Sequence, residues 1–233
     1  PDGRLGAVSG FDQQHGSSVN HDRQAGPHAH CVVFSPDNRF LLAADLGTDK
    51  VMIYRFDAAT GKIAANDPPS LSVTPGSGPR HLEFHPNGRF VYLINEMAST
   101  VELLHYDAAK GALNSGQTLS TLPEGFRASN TAAEIAMNAA GSVLYASNRG
   151  HNSLALFHID AERGTLSFME HASTLGKTPR YFTFDPTGQY VLVANQDSDD
   201  LVVFSVHPKT GELRPTGPIE GKLKQPSCVV FVR

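Results

Sequence analysis

The sequence predicts an all-β chain arranged as a propeller of four-stranded blades, and two recurring turn signals together with the lack of any helical stripe carry that expectation. The first signal appears as Asp2-Gly3-Arg4-Leu5, Thr60-Gly61-Lys62-Ile63, Lys110-Gly111-Ala112-Leu113, Arg163-Gly164-Thr165-Leu166 and Thr210-Gly211-Glu212-Leu213. It returns about every 50 residues, a period that reads as one blade per repeat when strands and turns carry it. The second signal is Asp37-Asn38, Asn87-Gly88, Ala140-Gly141 and Thr187-Gly188, each placed between an apolar run and a strand-like run.

Taken in order, residues 1 to about 13 begin at the turn between third and fourth strands, so they are expected to supply a fourth strand whose three partners are missing. Four full blades follow. The clearest unit is Gly78 to Glu96, where HLEFH and FVYLIN flank Pro86-Asn87-Gly88 and read as a β-hairpin. FLLAAD, VLYASN and YVLVAN are the matching second strands, and VMIYRF, VELLHY, LALFHI and LVVFSV the third. At the far end, Pro226-Ser227-Cys228-Val229-Val230-Phe231 aligns with Pro79-Arg80-His81-Leu82-Glu83-Phe84, a lone first strand. The inventory is four complete blades plus two part-blades in a single domain over 1–233. Lone strands leave unpaired edges, which a closed ring removes. The expectation is therefore a propeller lacking its N-terminal blades, with those blades of its parent chain as partner.

Composition narrows the function classes. The 233 residues are 40% hydrophobic, enough for a real core. Nineteen basic and 23 acidic residues are dispersed, with a net charge of -4, so there is no basic stripe for nucleic acid. No apolar run approaches the ~18 residues of a membrane span, so no membrane partner is expected. Cys31 and Cys228 read as free buried thiols, and a cytoplasmic setting fits them. The absence of tryptophan sets the blades apart from tryptophan-aspartate repeats.

Aligned repeats put unlike residues in equivalent places. At the start of the first strand stand His30, Arg80, Ala133, Arg180 and Ser227. At the end of the second stand Asp45-Leu46, Asn95-Glu96, Asn148-Arg149 and Asn195-Gln196. The two strands are antiparallel, so both columns face one mouth of the propeller, and the first strand is innermost. Guanidiniums, a carboxylate and an imidazole converging there can hold an anion by forked hydrogen bonds and place a base beside it. Any one of them, as a strand-end residue, is expected to contribute little to stability. The recurring Asp45, Asn95, Asn148 and Asn195 also suit the turn after the second strand. His28 and His30 share a strand face, but no third ligand accompanies them, so no metal is expected. There is no phosphate loop, serine elbow or cysteine nucleophile motif.

GPHAHCVVFSPDNRFLLAADLG, GPRHLEFHPNGRFVYLINE, TAAEIAMNAAGSVLYASNRGHNSLALF and TPRYFTFDPTGQYVLVANQDSD resemble successive blades of the lactonase family of seven-bladed propellers, which includes propeller-type bacterial 6-phosphogluconolactonase and fungal carboxy-muconate cyclase. The resemblance implies His30, Arg80, Glu96 and Arg149 as catalytic residues. Arg180, Asn95, Asn148 and His81 complete the expected substrate-binding set. It further implies hydrolysis of a small anionic sugar lactone, 6-phosphogluconolactone of the pentose phosphate pathway, without metal or organic cofactor. Arg80 and Arg149 would bind the phosphate or the carbonyl oxygen, and either Glu96 or His30 would activate water. A carboxy-muconate lactonizing enzyme and a non-catalytic binding propeller are the alternatives.

Overall fold

The structure, a computed structural model, describes residues 4–219 and 223–232. Among these, sixteen strands form four antiparallel four-stranded sheets in simple up-and-down order. Blade one holds β1 (Ala29–Phe34), β2 (Phe40–Asp45), β3 (Lys50–Asp57) and β4 (Lys62–Ser72). Blade two holds β5 (Pro79–Phe84), β6 (Phe90–Asn95), β7 (Thr100–Asp107) and β8 (Ala112–Ser120). Blade three holds β9 (Thr131–Met137), β10 (Val143–Arg149), β11 (Ser153–Ile159) and β12 (Leu166–Ser173). Blade four holds β13 (Pro179–Phe184), β14 (Tyr190–Asn195), β15 (Asp200–Val206) and β16 (Leu213–Pro218). The expected second and third strands all appear.

The core lies between blades. All six residues of β6 are buried because each of its faces meets a neighbour. Phe90, Tyr92 and Ile94 pack toward blade three with Leu144, Ala146 and Phe157, while Val91 and Leu93 pack toward blade one with Leu42 and Ile53. A third cluster, Tyr145, Leu156, Val191, Val193 and Phe204, joins blades three and four. This two-sided burial explains why these strands read as continuous apolar runs without alternation.

The repeated glycine is also explained by the blade interface. Gly164 has a φ of +74°, and a Cβ there would come within 2.7 Å of the Phe90 ring of blade two. Gly211, at φ +75°, would meet the Tyr145 hydroxyl of blade three at 2.7 Å. That hydroxyl donates to the Gly211 carbonyl at 2.6 Å, and Tyr92 does the same to Gly164 at 2.8 Å. Each glycine thus supplies a left-handed turn and a seat for the preceding blade's aromatic ring.

The two part-blades form no ladder: no strand occurs among the described residues before Ala29 or after Pro218. Pairing defines a strand, and neither segment joins a ladder with another strand among the described residues. Asp2 and Gly3, which open the first repeat, lie outside the described residues. The segment from Ser9 nevertheless holds the place of a preceding fourth strand. Ser9 Oγ donates to the Gly61 carbonyl at 2.9 Å, as Asn66 of β4 donates to the Lys110 carbonyl at 2.8 Å and Gln117 of β8 to that of Leu166 at 3.0 Å. Tyr54 then ties the segment down by donating to Asp12 at 2.8 Å. Cys31 and Cys228 are free, but Cys31 is only partly buried and Cys228 is exposed, so neither is the fully buried thiol expected.

Candidate active site

Residue placement at the mouth depends on a backbone irregularity that recurs at the start of the innermost strands. In β1 the register passes from Ala29↔Asp45 to Cys31↔Ala44, leaving His30 as an extra residue. In β5 it passes from Pro79↔Asn95 to His81↔Ile94, and in β13 from Pro179↔Asn195 to Tyr181↔Ala194, leaving Arg80 and Arg180 in the same position. In blade three, Ala133 and Glu134 together face Ser147. Such β-bulges break the alternation of a strand and re-aim side chains. Neighbours that would point to opposite faces, Arg80 and His81 among them, come into contact: Arg80 Nη1 lies 3.2 Å from His81 Nε2.

The centre of the cluster is Glu96, just after β6, which is 4% exposed. Arg80 Nε donates to its Oε2 at 3.1 Å, and Arg149 Nη2 lies 3.0 Å from the same oxygen. Arg23 Nη2 donates to Oε1 at 2.8 Å. The backbone fixes the carboxylate across the blade boundary, since the Ala132 N–H of blade three donates to the Glu96 carbonyl at 2.9 Å. Both arginines of the inner pair are further held by carbonyls: Arg80 Nη1 donates to Ala133 O at 2.6 Å and Arg149 Nη2 to Ala132 O at 3.0 Å.

Electrostatics follow from this crowding. Burial alone would raise the Glu96 carboxyl, but Arg149, the Arg23 hydrogen bond and Arg80 hold it below the usual carboxylate range. Burial, then repulsion from Arg149 and Arg180, pushes Arg80 down to about 10. Arg149 is lowered as well, chiefly by burial. Burial and the nearby Arg80 and His81 push His30 down to about 4, so its imidazole is neutral near pH 7. Deeper along the axis, burial and Glu134 raise Glu83 to about 7.

The expected set therefore divides. Arg80, Glu96 and Arg149 meet directly, and His30 packs beside them with its ring 5.1 Å from that of His81. Arg180 stands close enough to repel Arg80 and Arg149, with no hydrogen bond or ion pair of its own among the described residues. Asn95 and Asn148 do not join them. Asn95 donates to Thr100 Oγ1 at 3.1 Å, and Asn148 is locked by Thr121 at 2.7 and 2.8 Å, so both are buried turn residues rather than open contacts for a ligand. Arg149 is also no solvated strand end: its side chain is only 11% exposed. Sequence reasoning missed Arg23 and Glu134. Arg23 comes from a loop without a counterpart in the repeat, held by Gln24 donating to the Leu46 carbonyl at 2.9 Å. Glu134 lay one residue beyond the aligned column, in the EI of the AAEI segment.

A family model described as lactonase, 7-bladed beta-propeller, matches residues 1–231. The chain belongs to the seven-bladed β-propeller lactonase family. This lactonase-family chain is 34% identical over 212 residues to 6-phosphogluconolactonase of Bacillus subtilis, covering 91% of this chain and 59% of that one. It is 35% identical over 186 residues to 6-phosphogluconolactonase of Pectobacterium carotovorum, covering 80% and 55%. The solved structure of a periplasmic gluconolactonase from Pseudomonas aeruginosa matches with a TM-score of 0.89 at 40% identity, covering 95% of this chain and 61% of that one. The chain thus spans about six-tenths of the length of these relatives.

Proposed function

We propose that these blades carry the anion-binding and carbonyl-polarising part of a sugar-lactone hydrolase whose substrate is 6-phosphogluconolactone. The observation that carries the reading is the excess of fixed positive charge at the mouth: Arg23, Arg80, Arg149 and Arg180 gather there against two carboxylates, Glu96, which three of them share, and Glu134, which acts on Arg80. Glu96 consumes part of that charge and holds three guanidiniums in place. Arg180, which has no hydrogen-bond or ion-pair partner among the described residues, and Arg23, whose side chain is 43% exposed, are left to meet a phosphate by charge-assisted hydrogen bonds. The inner guanidiniums then face the lactone carbonyl, where negative charge develops as water adds. Preorganised donors of this kind stabilise that oxyanion without reorganising. Relatives named 6-phosphogluconolactonase and gluconolactonase support the substrate class.

Glu96 is here an anchor for arginines rather than a base, since both of its oxygens are already engaged by cations. The test is the rate of 6-phosphogluconolactone opening above its spontaneous rate, measured on the full-length protein carrying these blades. Acceleration that Arg180→Gln weakens through KM is the expected result. A folded protein giving the spontaneous rate overturns the reading.

A further inference from the structure

Next to the arginine cluster lies a carboxylate–imidazole pair that the reading above leaves without a role. His81 Nδ1 lies 2.8 Å from Glu134 Oε1, and His81 Nε2 lies 3.2 Å from Arg80 Nη1. A guanidinium can only donate, so Nε2 must present its lone pair to Arg80. The proton of a neutral imidazole then sits on Nδ1 and is donated to Glu134. Glu134 is itself fixed, because the Ile135 N–H donates to its Oε1 at 3.0 Å and its own N–H donates to Ser147 Oγ at 2.9 Å. The result is a buried carboxylate that sets the tautomer and orientation of an imidazole whose side chain is 20% exposed. That is the arrangement by which a carboxylate–imidazole pair makes a base of its outer nitrogen.

We propose that His81 is the general base of the lactone opening, with Glu134 as its positioning residue and Arg80 as a mask over Nε2 that the bound substrate draws aside. This rests on the lactone-hydrolysis reading above. The carbonyl oxygen of the bound lactone competes for the Arg80 Nη1 proton now directed at Nε2, and holds it more strongly as negative charge develops. Once Nε2 is free it takes a proton from water as the water oxygen bonds to the carbonyl carbon. The tetrahedral intermediate collapses by breaking the bond between that carbon and the ring oxygen, which takes the proton back from Nε2 and leaves as a hydroxyl. The new carboxylic acid loses its own proton to solvent, and water and lactone are converted to a hydroxy acid anion and a proton.

The other candidates are less suited. Glu96 has both oxygens occupied by arginines. His30 has no carboxylate on its ring, and its Nδ1 is buried without a partner among the described residues. The charged or titratable groups around the His81–Glu134 pair are Arg80 and Glu83 on β5, His30 and Cys31 on β1, and Tyr181 and, through Arg80, Arg180 on β13. Glu83, raised to about 7 by burial and by Glu134, titrates near neutrality, so it supplies the control.

The experiment is the pH dependence of kcat and KM for 6-phosphogluconolactone in the full-length protein, compared across His81→Gln, Glu134→Gln, His30→Gln and Glu83→Gln, with nitrogen NMR of the labelled histidines alongside. His81→Gln should lower kcat about 10²- to 10⁴-fold, the range for loss of a general base, with KM little changed. Glu134→Gln replaces the carboxylate that accepts the Nδ1 proton, so kcat should fall with KM little changed and the His81 NMR signals should lose their single-tautomer pattern. The NMR spectrum of the wild type should show the Nδ1–H tautomer. Activity of His81→Gln within threefold of wild type, or an acid limb that follows Glu83→Gln alone, overturns the proposal. A wild type that fails to accelerate the lactone overturns the underlying reading instead. The tautomer then reports separately whether the hydrogen-bond assignment holds.

Discussion

Replacing Glu96 by glutamine separates an anchoring role from a chemical one. The substitution keeps the shape but removes the carboxylate charge that Arg23, Arg80 and Arg149 share, leaving guanidiniums with 3% and 11% exposure facing each other. Breaking a buried ion pair by removing one partner costs about 3–5 kcal/mol. The lower end applies here, because glutamine Oε1 still accepts one hydrogen bond and Arg80 and Arg149 keep their carbonyl partners. For a chain of this size about 3 kcal/mol corresponds to a drop of roughly 6–12 °C in Tm. The pH dependence has a definite sign. A carboxyl held below its ordinary value stabilises the fold above that value, and the contribution is lost as pH falls through the lowered folded pKa. The glutamine variant should therefore lose this part of the acid sensitivity. Thermal and urea unfolding between pH 3 and 7 measure both effects. A variant within about 1 kcal/mol of wild type, yet inactive, would refute the anchoring account and make Glu96 a participant in the chemistry.

Further outcomes follow from the same contacts. Arg149→Ala should destabilise the protein as well as lower activity, because it removes a buried partner of Glu96; unchanged urea unfolding would contradict this. Arg180→Gln should leave Tm within about 2 °C while raising KM roughly 10- to 100-fold, the loss expected for one charge-assisted contact to an anion, read by steady-state kinetics at fixed ionic strength. Gly164→Ala should cost about 2–4 kcal/mol, combining a left-handed backbone position with overpacking against Phe90; a calorimetric Tm close to wild type would show that the ring can move aside. Since His30 is pushed from its ordinary 6.5 to about 4, the unfolded chain binds the extra proton between those values, and stability falls as pH drops through that window. His30→Gln should flatten this part of the Tm–pH curve.

Much of the fold was legible because its causes are local or periodic. β-branched and aromatic runs, turn residues at fixed offsets and a positive-φ glycine in each repeat follow from the chemistry of short segments, and four blades appear where those signals stand. The two columns at the mouth were legible for the same reason, since antiparallel pairing alone puts the start of β5 and the end of β6 at one edge. The segments at either end were less so, because a strand exists only with a neighbour, and no local signal supplies one.

What only the tertiary structure decided is how those columns interact. Strand alternation predicts that Arg80 and His81 point apart, but a bulge set by the pairing with β6 brings them together. Residues 73 positions apart, Arg23 and Glu96, become partners because a loop before the first blade folds over the second. Glu134 reaches His81 because blades two and three pack face to face. The sequence by itself determined the strands, the glycine seats and the edge at which charge collects. Which charge neutralises which, and therefore which imidazole keeps a usable lone pair, depends on distances between blades. The packing of their apolar faces sets those distances, and no residue's immediate neighbours encode them.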